Sequence, residues 1–162
     1  MKDMQWTTID KSAWPRGPWD NEPDKVQWLD RETRRPCIAL RHPEHGHWCG
    51  YVGVSEGHPL FEKSDRDGET GEVSVHGGIT FGGFCSPEPD KERHVCHVVE
   101  PGENDHVWWL GFDCAHSQDR GPISRPWMRC LLEGENGPVY RDLPYVQDQC
   151  RSLARQLKAM QA

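Results

Sequence analysis

Two stretches of the chain gather residues that can move protons or hold an anion. The first is Val75-His76-Gly77-Gly78-Ile79-Thr80. A histidine followed by two glycines sets an imidazole beside backbone that can take positive φ, and such backbone can turn its amide N–H groups toward an anion. His76 and Thr80 can then line one ligand, with the Gly77 and Gly78 amides on its phosphate. The second is Gly111-Phe112-Asp113-Cys114-Ala115-His116-Ser117-Gln118-Asp119. An Asp three residues before a His suits a carboxylate that orients an imidazole. If the two histidines meet, one can accept a proton while the other donates one to a leaving oxygen, each transfer being worth about 100- to 10,000-fold. The pairing suits metal-free phosphodiester cleavage, with His76, His116 and Asp113 as catalytic groups. Gly77, Gly78, Thr80, Cys114 and Asp119 would contact the ligand.

Each feature also has a plainer reading. His76-Gly77-Gly78 can be a strand-end turn with a hydrogen-bonded histidine, and 113–119 a capped turn. Cys114, between Asp113 and His116, has the setting of a thiolate nucleophile, although a buried, inert cysteine is the commoner state. Trp108 and Trp109 face opposite sides of a strand, so one belongs to the core and the other can stack a base. Cys85, His94, Cys96 and His97 are metal-ligand types. They lack the paired Cys-x-x-Cys or His-x3–5-His spacing of structural zinc, and in a strand Cys96 and His97 point to opposite faces. A site built from Asp113, His116, His76 and a cysteine stays open, but the expectation is no metal and no cofactor. His42, His45 and His47 crowd a turn and read as solvent-exposed.

These groups need a scaffold. Cys37–His42 and Trp48–Val54 read as a hairpin around a Pro/Gly turn. In its second strand Trp48, Gly50, Val52 and Val54 share one face, and Cys49, Tyr51 and Gly53 the other. Val26–Asp30 is a strand or a helical turn. Glu72–His76 and His94–Val99 alternate as strands do, with 82–93 as loop. Val107–Asp113 is the most apolar segment and the candidate for the sheet centre. Asp142 is a natural N-cap with Pro144 in the tolerated first turn. Val146, Cys150, Leu153, Leu157 and Met160 then form one apolar helical stripe. The expected fold is α+β: one domain over 25–162, mainly an antiparallel sheet with a C-terminal amphipathic helix packed on it. A Trp- and Pro-rich arm over 1–24 is pinned to that body. The helix reads as a brace behind the sheet, not as the working part.

Composition narrows the classes. The 162 residues suffice for one domain with a sizeable core, although only 35% are hydrophobic and eight tryptophans must supply much of the buried area. A net charge of -7 without a basic patch argues against generic nucleic-acid binding. The start of the chain is polar and lacks the apolar core of a signal peptide, and no apolar run approaches the ~20 residues of a membrane span. The seven cysteines are therefore expected as thiols or metal ligands in a reducing, cytoplasmic compartment, ahead of disulfides.

Trp48-Cys49-Gly50-Tyr51-Val52, Gly57-His58-Pro59, the His-Gly-Gly-x-Thr stretch at 76–80, Trp108 through His116 with its Gly-Phe-Asp-Cys-Ala-His motif, and Tyr145-Val146 through Leu157 together resemble a family of small, mostly uncharacterised proteins of tailed phages and mobile elements. The similarity spans about residues 14–160. It implies a source more than an activity and transfers no residue of known role. A phage source combined with a His/Thr/Gly/Trp pocket leads to an expected counter-defence protein of the host cytosol. Such a protein would sequester or cleave a small anionic nucleotide-like signal, in the second case as a phosphodiesterase-like hydrolase, and would act as a possible homo-oligomer. The alternatives are an anti-CRISPR-like inhibitor of a host defence complex, using the acidic loops 65–72 and 100–105, and a zinc-dependent phage metabolic enzyme.

Overall fold

The computed structural model describes residues 1–86, 88–123 and 137–161. Six antiparallel strands form one sheet: β1 (Met4–Trp6), β2 (Lys25–Leu29), β3 (Pro36–Arg41), β4 (Trp48–Val54), β5 (Phe81–Phe84) and β6 (Trp108–Asp113), in the order β1-β2-β3-β4-β6-β5. Two short strands, β7 (Asp119–Arg120) and β8 (Val139–Tyr140), pair in parallel beside it. One helix, α1 (Leu143–Ala159), packs on β4 and β3. The fold is thus the α+β arrangement read from the sequence. No helix of the described residues is long and apolar enough to cross a membrane.

β4 lies at the centre, and all seven of its residues are buried. Alternation sorts them as expected. Trp48, Val52 and Val54 join Leu110, Phe112, Val146, Cys150, Leu153 and Leu157 in the core between sheet and helix. Cys49 and Tyr51 join Ile38, Val107 and Trp109 on the opposite face. Gly50 lets the helix close in, since a Cβ there would stand 2.8 Å from the Cys150 sulfur and 2.4 Å from the Phe112 ring. The helix starts as its sequence dictates. The Asp142 side chain accepts from the Tyr145 amide at 3.0 Å, and a proline occupies the first turn.

Two expected strands are something else. Val73–His76 lies outside the sheet, along α1. Gln156 donates to the Ser74 carbonyl and accepts from its amide, both at 2.7 Å, and Gln149 accepts from the His76 amide at 3.0 Å. Val73 and Val75 still turn into the core, so the alternation is real while the pairing partner is a row of helix side chains. His94–Val99 is likewise irregular and covers the second sheet face. Gln27 of β2 pairs with the Val98 amide at 2.8 Å and the Val98 carbonyl at 3.1 Å. Conversely, Phe81–Phe84, within a stretch read mostly as loop, is the edge strand β5.

Lys25 holds the rest of this cover. Its buried ammonium donates to the carbonyls of His94 at 2.9 Å, of Cys96 at 2.5 Å and of Lys91. Burial pulls its pKa down to about 8. A disulfide, Cys85–Cys96, ties the end of β5 to the same segment across a Cα–Cα distance of 4.6 Å. That corrects the expectation of thiols for this pair, whereas Cys37, Cys49, Cys114 and Cys150 are free and buried. Cys130 lies outside the described residues.

The 1–24 segment is woven into the body. β1 extends the sheet, and Trp19 is buried edge-on against Tyr140. Asp24 accepts from the amides of Thr8 and Ile9. Glu22 reaches the Arg41 guanidinium at 2.7 Å, the Tyr140 hydroxyl and the Leu143 amide. This carboxylate thus joins the arm, the hairpin and the helix start.

Lys25→Met should expose how much the cover depends on one ammonium. It keeps the apolar stem and orphans three carbonyls at about 1–3 kcal/mol each, so the unfolding free energy should fall by at least about 3 kcal/mol. A urea titration measures it, and an unchanged midpoint would mean that the carbonyls find other donors.

Candidate functional site

The two histidines do meet. The His76 and His116 rings stand with centroids 5.3 Å apart, edge to face. Three elements bring them together. The 73–79 segment delivers His76 along α1, the strand end after β6 delivers His116, and the β7–β8 pair sets Arg141 beside Asp119. Val75 accepts from the Gly78 amide at 2.9 Å, which closes a four-residue turn over 75–78. Its third position, Gly77, takes φ +68°, the left-handed region that such a turn assigns to glycine. Glycine is needed there twice over, because a Cβ on Gly77 would lie 2.0 Å from the His116 ring.

Asp119 is the hub. Its side chain is buried, and Oδ2 accepts from His76 Nε2 at 2.7 Å, from the His116 amide at 3.0 Å and from His116 Nδ1 at 3.3 Å. Arg141 Nε donates to Oδ1 at 3.0 Å. Burial opposes this charge, yet the hydrogen bonds from His76, Arg141 and the His116 amide outweigh it and hold the carboxyl below its ordinary pKa. Asp113, expected as the orienting carboxylate, instead accepts from the Ala115 amide at 3.0 Å, with its oxygen 4.0 Å from His116 Nδ1. The physical reason is local. At the end of β6 the Asp113 side chain closes the tight turn into 115, while the chain returns at β7 to present Asp119.

The imidazoles are not equivalent. His76 Nδ1 lies 2.9 Å from the Tyr145 hydroxyl while Nε2 meets Asp119, so both ring nitrogens are engaged. A Tyr145 O–H donating to Nδ1, with Nε2–H donating to Asp119, satisfies the ring completely. His116 uses Nδ1 on Asp119, and its Nε2 has no hydrogen-bond partner among the described residues. The symmetrical two-histidine pair therefore gives way to an Asp119–His116 dyad that leaves one nitrogen open, with His76 locked beside it. Arg141 likewise spends only Nε on Asp119. Its guanidinium lies over the Tyr145 ring, 4.8 Å from the centroid, and its two outer nitrogens have no partner among the described residues.

The remaining expectations divide. Cys114 is buried, its amide bonds to Trp48, and burial pushes the thiol far up, which removes it as a nucleophile. Trp109 is fully buried on the opposite sheet face, edge-on to His97. Trp108 donates its indole N–H to the Lys63 carbonyl at 2.9 Å and packs against Phe84. Neither tryptophan is placed to stack a ligand at the histidines. Thr80 is exposed, and its amide pairs with the Gly111 carbonyl at the start of β5. The Gly78 amide is consumed by the 75–78 turn, so the pair of glycine amides does not form a phosphate cradle.

His42, His45 and His47 stack on one another, with His47 half-buried and its pKa pushed down to about 4 by burial. The reading of all three as solvent-exposed thus holds for His45. Arg141, Tyr145 and Gln149 were missed as site residues because Arg141 lies just ahead of the Asp142 cap and the other two lie on the helix, read as a brace. The available signal was Tyr145 in the first turn, since helical side chains lean toward the N-terminus and so toward Arg141.

Compared with protein-family models, with curated proteins and with solved structures, the chain matches none.

The two glycines make a paired test of this geometry. Gly77 and Gly78 both take positive φ, +68° and +84°, but only Gly77 faces an imidazole. Alanine at either position should cost about 1–2 kcal/mol in backbone strain. Only Gly77→Ala should move the His116 side-chain resonances in a 15N-labelled spectrum. Equal changes in the two variants would refute the packing of Gly77 on His116.

Proposed function

We propose that the protein recognises a small anionic, nucleotide-like molecule at the Asp119–His116–Arg141 cluster, and that His116 contacts the phosphate. The observation that carries this reading is the Arg141 guanidinium. It is held by one nitrogen on a buried carboxylate and stacked on Tyr145, so its outer edge is left for a ligand. A guanidinium anchored in that way pairs with a phosphate in a planar, two-pronged fashion that an ammonium cannot copy. Beside it, His116 offers an imidazole nitrogen free to donate to the anion or to exchange a proton with it. Asp119 keeps the ring in place from the other side, the role a buried carboxylate plays toward a catalytic histidine.

The expected phage source, taken together with these anion-binding groups, suggests the ligand class: a signalling nucleotide of a host defence, which the protein would sequester or cleave. The competing role, in which the acidic loops 65–72 and 100–105 grip a host protein, draws less support. Several of those acids are already engaged within the chain. Asp67 binds the Ser64 amide, Glu69 pairs with Lys63, Asp105 pairs with Lys91 and Glu103 meets the amine of Met1.

A melting screen with cyclic dinucleotides and ADP-ribose derivatives should find a ligand that raises the midpoint. Arg141→Lys and His116→Ala should each weaken it by about 10- to 100-fold, the worth of a charge-assisted hydrogen bond. Chromatography of the mixture then separates cleavage from holding. A ligand bound equally well by both variants would place recognition elsewhere, and a flat screen would reject the ligand class.

A further inference from the structure

We infer that His76, His116 and Asp119 form a binding site for one divalent first-row transition-metal ion, of which zinc is the simplest case. This departs from the absence of a metal expected from the sequence. One nitrogen of each imidazole and one oxygen of Asp119 all lie within 4.8 Å of one another, and the contacts to Oδ2 select His76 Nε2 and His116 Nδ1 as the nitrogens. Ligands each about 2.0–2.2 Å from a common ion stand roughly 3–4 Å apart. The present separations from Oδ2, 2.7 Å to His76 and 3.3 Å to His116, need only small outward shifts to admit one.

The surroundings are those of a prepared site. Metal-binding imidazoles are normally oriented by a hydrogen bond on the other ring nitrogen, and His76 has one in the Tyr145 hydroxyl at 2.9 Å. The second oxygen of Asp119 is held by Arg141 Nε, and Oδ2 also keeps the amide of His116. The carboxylate is therefore fixed independently of the imidazoles. Gly77 packs against the His116 ring, where a Cβ would stand 2.0 Å from Cε1.

Two imidazoles and one carboxylate suit zinc, iron, cobalt or nickel better than magnesium or calcium, which prefer all-oxygen shells. Three protein ligands leave further positions open, and His116, 38% exposed, marks the side on which they face solvent. Open positions belong to catalytic rather than structural sites. The inference extends the proposed function, because a cation there adds to Arg141 in drawing an anion, but it stands on the three donor atoms alone.

Occupancy also fixes tautomers. An ion on His76 Nε2 leaves the proton on Nδ1, which then donates to the Tyr145 oxygen. An ion on His116 Nδ1 leaves the proton on Nε2.

The test uses the untagged full chain, stripped with a chelator and titrated with Zn2+ and with Co2+. Binding of one ion per chain is expected, with a visible Co2+ absorption band and a shift of the His76 15N resonances to the Nδ1–H tautomer. His76→Gln and His116→Gln should abolish binding while circular dichroism stays native. Tyr145→Phe, which touches no ion, should weaken it by about 10- to 100-fold. No binding by the folded wild type overturns the inference, as does binding that survives both glutamine variants. The outcomes separate from those of the nucleotide screen. A ligand shift that persists in the metal-free, chelator-stripped protein leaves recognition standing without the metal, and a bound ion with a flat screen leaves the metal standing without the ligand class.

Discussion

A central strand buried on both faces is the constraint from which the rest of this structure follows. β4 has no residue in solvent, so each face of the sheet requires a cover, and each cover must satisfy its own backbone polar groups. A helix does this by itself, and α1 covers one face with its apolar stripe. The other face is covered by chain that has no regular structure. Unpaired carbonyls there would each cost about 1–3 kcal/mol. Lys25 and Gln27 remove that cost from the sheet side. They occupy alternate positions on the face of β2 opposite Val26 and Trp28, which join the helix-side core.

The same device recurs on the helix side. Gln156 meets both backbone groups of Ser74 much as Gln27 meets those of Val98. A side-chain amide carries a donor and an acceptor at the spacing of a peptide group, so a glutamine on a rigid element can stand in for one residue of a neighbouring strand. In this way the 73–79 segment is laid along α1 at a fixed height, and His76 arrives at Tyr145 and Asp119. The helix is therefore both the brace expected of it and part of the site.

Charge is concentrated where elements join. Glu22 fastens the arm, Arg41 and the helix start, and Asp119 fastens His76, His116 and Arg141. Desolvating a carboxylate is costly, and both the half-buried Glu22 and the buried Asp119 are surrounded by donors that offset that cost. Around Glu22 the donors use the carboxylate up. Around Asp119 they leave capacity unspent, on the outer nitrogens of Arg141 and on one nitrogen of His116. That difference separates a structural junction from a candidate site.

Much of this was legible in the residues themselves. The capping Asp142, the stripe from Val146 to Leu157 and the two-faced alternation of Trp48–Val54 are short-range patterns, and short-range geometry decides them. The convergence of His76 with His116 was a matter of chemistry and could be anticipated as a possibility. The alternation at 73–76 correctly reported one side inward, but at 94–99 it failed, since the chain bends at 94–95 and the adjacent Cys96 and His97 are both buried. It could not report that the partners would be Gln156 and Gln27, because a pattern of period two encodes which way side chains point and not what pairs with the backbone. For the same reason Asp113 looked like the partner of His116. Both aspartates lie three residues from the histidine, and only the return of the chain through β7 beside β8 turned Asp119 inward and left Asp113 to its own turn. Sequence determined the capped helix and the two faces of Trp48–Val54. Tertiary packing decided the partners, since hydrogen bonds between distant segments depend on where a third element, here α1 or β2, holds each of them.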